Sequence, residues 1–259
     1  MGFRRYVALG DSTTEGLDDP RPGGGYRGWA DRLAEGLAAA EPGLLYANLA
    51  VRGRRIPQVH AEQLAPALAL EPDLVTVLAG LNDLLRRRYD AAATAAHLEA
   101  MLSESLAAGA TAATFTIPDP SSVMPLARIV RGRLHAYNEA IREIGARTGA
   151  IVVDLAGVPA TADPRLWSID RLHASALGHE RIAAATCDAL GLPGSDRSWT
   201  EPLPVIARRG RHAVVAAELV WAQRHLTPWL VRRARGRSSG DGRFPKAPEL
   251  APVEVPGAP

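Results

Sequence analysis

The sequence predicts an α/β protein: a central parallel sheet of five strands between two layers of helices, in three layers altogether. Three observations predict it. Short apolar runs alternate with longer helical patterns along residues 1–192. The runs are rich in Val, Leu, Ile and Thr and do not alternate in polarity, as expected of strands buried on both faces. Stop signals, Pro42-Gly43, Gly109 and Gly149, stand where helices should end. A strand–helix–strand order of this kind gives right-handed crossovers and a parallel sheet covered on both sides.

In order, the predicted strands are 6–9, 44–50, 74–79, 111–117 and 151–155. The helical stretches are 29–40, 59–70, 91–108, 126–147 and 177–190. In the first of these, Leu33 and Leu37 share a face, one turn apart. After Leu192 the pattern changes. Residues 193–259 read as a C-terminal extension: a linker, basic helices over about 205–235, and a tail over about 236–259 too rich in Gly, Ser, Pro and Ala for a packed element.

Bulk properties exclude some classes. The chain has 259 residues, 47% of them hydrophobic and 22% charged, as in an ordinary globular protein. Its net charge is +2, but ten Arg or Lys against two acids fall between Val205 and Lys246, so a mildly acidic body carries a basic extension. Cys187 is the only cysteine, so no internal disulfide can form. It falls in an apolar helical pattern and reads as a small buried hydrophobe. There is no signal-peptide core behind Arg4-Arg5 and no apolar run of about 18 residues. The expected location is therefore the cytoplasm. Trp221, Trp229, Leu226 and Leu230 beside Arg224, Arg232, Arg233 and Arg235 would suit an anionic membrane surface and a peripheral position on it. Solvated arginines on helices packed against the body are the plainer reading, and nucleic acid is not an expected partner.

In open α/β sheets, ligands bind beyond the carboxyl ends of the strands. Chemistry-bearing residues should therefore follow the strands, and four groups do: Gly10-Asp11-Ser12, Arg52-Gly53, Gly80-Leu81-Asn82-Asp83, and Asp170-Arg171-Leu172-His173. Their types fit acyl transfer. A serine hydroxyl needs a base to take its proton, and His173 can be that base. Asp170 could hold the other ring nitrogen and stabilise the imidazolium. An oxyanion formed on an ester carbonyl needs preplaced donors. The backbone N–H groups of Ser12 and Gly53 and the Asn82 amide could supply them. Asp83 and Trp167 are candidate substrate contacts.

These blocks resemble those of the SGNH hydrolases, also called GDSL esterases/lipases. ALGDSTTEG over Ala8–Gly16 looks like their first block and Gly53 in NLAVRG like the second. GLND over Gly80–Asp83 and DRLH over Asp170–His173 match two more. The resemblance spans about residues 5–192. It implies a flavodoxin-like fold, Ser12 as nucleophile, His173 as base, Asp170 as its partner, and Ser12, Gly53 and Asn82 as oxyanion donors. It implies a small-molecule or lipid ester as substrate and neither a metal nor an organic cofactor.

Plainer readings stand beside these. Ser12 with Glu15 three residues on is a capping-box pattern. Asn82 or Asp83 could cap a helix, Asp11 could hold its turn, and His179 could serve packing. Gly23-x-Gly25-x-x-Gly28 fits a dinucleotide fingerprint as a string but follows no strand. Gly236-x-Ser238-x-Gly240 fits a nucleophile elbow as a string but sits in the tail.

Overall fold

The structure, a computed structural model, describes residues 2–205, 221, 223–224, 227–228 and 238–254. The elements run β1 (Arg5–Gly10), α1 (Ser12–Glu15), α2 (Gly28–Ala40), β2 (Leu45–Asn48), α3 (Ile56–Val59), α4 (Ala65–Ala69), β3 (Leu74–Leu78), α5 (Leu81–Leu84), α6 (Ala91–Ala107), β4 (Thr111–Phe115), α7 (Arg131–Thr148), β5 (Ile151–Val153), α8 (Ala176–Ala189) and β6 (Ala247–Pro252). A π-helical turn, His60–Leu64, joins α3 to α4.

Among the described residues the sheet has the order β5-β4-β3-β1-β2-β6. The first five strands are parallel, with Tyr6 opposite Tyr46 on one side and Leu74 on the other. The alternation of β1 separates two cores. Val7 and Leu9 pack with Val75, Val77, Leu98, Met101 and Ile141. Tyr6 and Ala8 pack with Trp29, Leu33, Leu37, Phe115 and Ala183. Helices α6 and α7 therefore cover one face and α2 and α8 the other. Trp29 and Leu33 are fully buried, and each such side chain stabilises the fold by about 1.5–3 kcal/mol.

The predicted five-strand parallel core is present, and a sixth strand corrects the reading of the tail. Residues 247–252 pair antiparallel with β2, Tyr46 opposite Ala251. Pro245, Pro248 and Pro252 made this stretch read as unstructured. An edge strand needs ladder hydrogen bonds on one side alone, so it tolerates proline. Lys246 fixes the approach: its ammonium donates to the Tyr26 and Arg27 carbonyls and to Asp31 Oδ2, at 3.1, 2.8 and 2.9 Å.

Among the described residues, no helix is long and apolar enough to cross a membrane. Most of the helical stretch expected over about 205–235 lies outside the described residues, and with it Leu226, Trp229, Leu230, Arg232, Arg233 and Arg235.

Because β2 lies on one side of β1 and β3 on the other, the order in which strands are added reverses at β1. The crevice beyond its carboxyl end is the switch point of the sheet. Asp11 and Ser12 stand there.

Candidate active site

Strand β1 ends in Gly10, and the chain turns at once into α1. The N-cap of α1 is Asp11, whose side chain accepts the Thr13 N–H at 3.2 Å. Ser12 is thus the first residue of the helix and not its cap. Glu15, the partner expected of a capping box, turns to Arg52 instead, accepting its N–H at 2.8 Å and its Nε–H at 2.9 Å. The Ser12 hydroxyl is left for another group, and that group is His173. Ser12 Oγ lies 2.9 Å from His173 Nε2.

His173 and Asp170 share a tight turn before α8. Asp170 Oδ1 accepts the N–H groups of Leu172 and His173, at 2.9 and 3.0 Å. Its Oδ2 is 2.6 Å from His173 Nδ1. The carboxylate accepts from Nδ1–H, which leaves Nε2 as the acceptor facing Ser12. Burial works against the imidazolium, but the Asp170 bond and charge, followed by Asp18 and Asp11, outweigh it and raise the His173 pKa. Burial also opposes charge on Asp170, yet its bonds to His173 and the two backbone N–H groups hold it down at about 2.

Gly53 follows β2 with φ +75°, in the left-handed region that favours glycine. A Cβ there would stand 2.2 Å from Ser238 Oγ. Among the described residues, neither the Ser12 N–H nor the Gly53 N–H has a hydrogen-bond partner. Unpaired backbone donors are uncommon in protein interiors, and here the two residues line the same cleft. Asn82 lines it too, but its amide is engaged: it donates to Asp11 Oδ2 at 3.0 Å and to the Arg54 carbonyl at 3.1 Å. Burial pushes the Asp11 carboxyl up to about 7, against the Thr13 N–H bond and the charge of His173.

The two candidate substrate contacts do not line this cleft. Asp83 is buried and accepts the Ile56 N–H at 2.9 Å, so its short side chain ties α5 to the start of α3. Burial raises its pKa to about 6. Trp167 lies in the turn before His173, paired with Ala174. It lines a separate cavity of about 90 Å³ with Thr13, Leu78 and Ile182. Asp11 and Thr13, on either side of Ser12, line that cavity as well. His179 is a packing residue: it accepts the Trp29 N–H at Nδ1, 3.2 Å, and donates from Nε2 to the Leu17 carbonyl, 2.9 Å.

The cleft that holds Ser12, Asp170 and His173 has a volume of about 790 Å³. Some of its lining escaped the sequence reading. Asp18 Oδ2 lies 3.9 Å from His173 Nδ1 and accepts the Ser168 hydroxyl at 2.5 Å. Its place two residues beyond Gly16 was the available clue. Trp221, Arg224, Ser238, Ser239 and Arg243 come from the extension. The Ser238 hydroxyl donates to the Gly53 carbonyl at 3.3 Å. No local pattern announced this return; of the nucleophile-elbow string, Ser238 and Ser239 line the cleft. Among the described residues, the one set of metal-ligating types held close together is Asp18, Asp170 and His173. Its shortest link is the Asp170–His173 hydrogen bond.

Comparisons with known proteins give the family and the fold. The profile of the GDSL-like lipase/acylhydrolase family matches residues 8–181. No curated protein matches the sequence. Among solved structures, an acetylxylan esterase of Geobacillus stearothermophilus, solved as a catalytic mutant, is 22% identical with a TM-score of 0.63, over 76% of this chain and 99% of that one. LAE5, an alpha/beta hydrolase enzyme from the metagenome of Lake Arreo, Spain, is 22% identical with a TM-score of 0.62, over 73% and 95%. The psychrotrophic esterase EstA of Pseudoalteromonas sp., in a structure inhibited by monoethylphosphonate, is 20% identical with a TM-score of 0.57, over 73% and 97%. At these identities the likeness is one of fold. The family match covers well over half of the sequence, and the chain belongs to the GDSL-like lipase/acylhydrolase family.

Proposed function

We propose that the chain hydrolyses carboxylic esters through an acyl-enzyme on Ser12. One observation carries the reading: His173 Nε2 stands 2.9 Å from Ser12 Oγ while its Nδ1 stands 2.6 Å from Asp170. His173 takes the hydroxyl proton as Ser12 attacks the ester carbonyl. Asp170 fixes the tautomer and stabilises the imidazolium. The N–H groups of Ser12 and Gly53 receive the oxyanion. Asn82 joins them by exchanging one of its present acceptors for the oxyanion. His173 then passes its proton to the departing alkoxide. In the second half it activates a water molecule, which releases the acid.

Short acyl esters are the first substrates to test. Acetylated carbohydrates stand beside them, since acetylxylan esterases share the fold. Lysophospholipids and acyl thioesters are the remaining class, and the basic extension favours them.

The test is a panel of 4-nitrophenyl esters of graded acyl length, run with the wild type and Ser12→Ala. A serine-directed phosphonate is used in parallel, with the adduct located by mass spectrometry. Turnover in the wild type, a loss of about 10⁴-fold or more in Ser12→Ala, and an adduct on Ser12 are expected. Full activity in Ser12→Ala overturns the mechanism.

A further inference from the structure

The catalytic cleft holds more positive charge than its chemistry needs. Four arginines line it: Arg52, Arg86, Arg224 and Arg243. Arg52 is neutralised by Glu15 in a bridge with both side chains largely buried. Arg86, Arg224 and Arg243 have no ion pair among the described residues. The Arg86 Nε–H is buried without a hydrogen-bond acceptor. Arg243 Nε donates to the Ser239 carbonyl, a contact that leaves its charge uncompensated. Two carboxylates share the cleft, Asp18 and Asp170. Asp170 is committed to His173, so among the residues that line the cleft three guanidinium charges face one uncommitted carboxylate, Asp18; behind the lining, the charge of Arg86 is also felt by Asp83.

These charges are placed and not scattered. Arg86 follows α5, the helix that carries Asn82. Arg224 belongs to the segment anchored where Arg171 stacks on the Trp221 ring, 4.3 Å from its centroid. Arg243 follows the Ser238–Asp241 turn that rests on Gly53. Ser238 N–H donates to Asp241 Oδ2 at 2.9 Å, so that acid caps its own turn. An unpaired buried guanidinium N–H is costly. Guanidinium forks match phosphate and carboxylate oxygens in pairs.

We propose that this cleft selects acyl esters whose alcohol part carries an anionic group, a phosphate foremost, held by Arg86, Arg224 and Arg243 while Ser12 attacks the carbonyl. The inference rests on the ester-hydrolase reading above and adds the charge of the substrate to it. It also gives the extension a part in recognition, because Arg224 and Arg243 reach a site whose nucleophile lies near the other end of the sequence. Arg224 and Arg243 are exposed and Arg86 is half-buried, so field and fork act together at the cleft, whose excess positive charge concentrates anionic ligands.

The test uses the full chain and three butyryl esters: of glycerol, of glycerol 3-phosphate and of choline. The expected order of kcat/KM is phosphate, then neutral, then cationic, with the first two about tenfold apart, a difference of about 1.4 kcal/mol. Added salt should narrow the gap. Arg86→Met and Arg243→Met should each cut the phosphate-to-neutral ratio about fivefold. Arg147→Ala should leave it unchanged, because Arg147 pairs with Glu99 at the surface. A parallel pair of palmitoyl esters separates lipid from soluble phosphate esters, and a phosphate preference at either length supports the proposal. Equal rates on the neutral and phosphate esters overturn it and leave the hydrolase reading intact. No turnover of these or of 4-nitrophenyl butyrate, with no phosphonate adduct, removes the hydrolase reading and this one with it.

Discussion

Asn82 donates its side-chain amide to Asp11 Oδ2 at 3.0 Å, and Asp11 is the residue immediately before Ser12. The cap of the Ser12 helix therefore holds in place the amide proposed as the third oxyanion donor. Asn82→Ala should lower kcat about 10²–10³-fold and change KM little, because the bond to substrate forms as charge develops. Steady-state kinetics on a short ester measures this. A fall of less than tenfold would confine the amide to bracing Asp11 and Arg54.

The pH profile follows from the pair beside it. Only neutral His173 can accept the Ser12 proton. Its pKa lies above the ordinary imidazole value, so kcat/KM should rise with pH through a midpoint above about 6.5. Asp170→Asn removes the charge that holds the pKa up. The midpoint should move down while the plateau falls about 10⁴-fold, as the ring loses its fixed tautomer. A midpoint that stays put in Asp170→Asn would show that the pair is not coupled to the base.

Gly53 and Ser238 form a steric lock. Gly53→Ala places a Cβ 2.2 Å from Ser238 Oγ and on a backbone with φ +75°. The strain alone costs about 1–2 kcal/mol. Activity should drop, and the turn at Ser238 should lift from the cleft. Ser238→Gly in the same chain should restore part of the activity, since it removes the clash and leaves the strain. Assays of both single variants and the double variant decide it, and strictly additive losses would exclude the lock.

His179 makes stability depend on pH. Burial lowers its pKa to about 4, against the Leu17 carbonyl and the Asp19 charge and helped by the charges of Arg32 and His173. Between about pH 6.5 and 4 the unfolded chain takes up a proton that the folded chain refuses. The contribution of His179 therefore falls as pH drops through this window, by on the order of 3 kcal/mol. Asp11 and Asp83, held up near 7 and 6, act in the opposite sense there. The measurement is urea denaturation at pH 7 and pH 4.5, with His179→Gln beside the wild type. The variant should start less stable and lose less on acidification. Parallel losses would remove His179 as the cause.

Much of the site was legible because strand ends are legible. Ser12, Gly53, Asn82 and the Asp170–His173 turn each follow a short apolar run or sit in the loop beyond the last one, and the structure gathers them in one cleft. Local cues failed where local chemistry was ambiguous. Ser12 and Glu15 looked like a capping box, but Asp11 is the cap and Glu15 goes to Arg52, a partner 37 positions away that no short window connects. Asp83 lies beside the right loop but is taken up by the Ile56 N–H, and Trp167 lines the smaller cavity next to Asp11 and Thr13; strand ends do not encode either outcome. The tail failed for another reason. Its prolines argue against a strand in general, and only the one-sided pairing at the β2 edge makes them acceptable. That information belongs to the sheet and is absent from residues 247–252 alone.

The pairing of β6 with β2 also sets a timetable. Lys246 and Tyr26 meet across 220 positions of chain, and contacts so distant form late, because a long loop must close first. Until then β2 presents an open strand edge, an invitation to other chains. The Ser12–His173 pair can assemble from residues 5–192, whereas the wall that carries Ser238 and Arg243 must wait for this closure. Newly made chains would thus pass through an interval with the Ser12–His173 pair in place, one side of its cleft open, and a template for aggregation exposed. Fusing a bulky partner after residue 254 would prolong that interval.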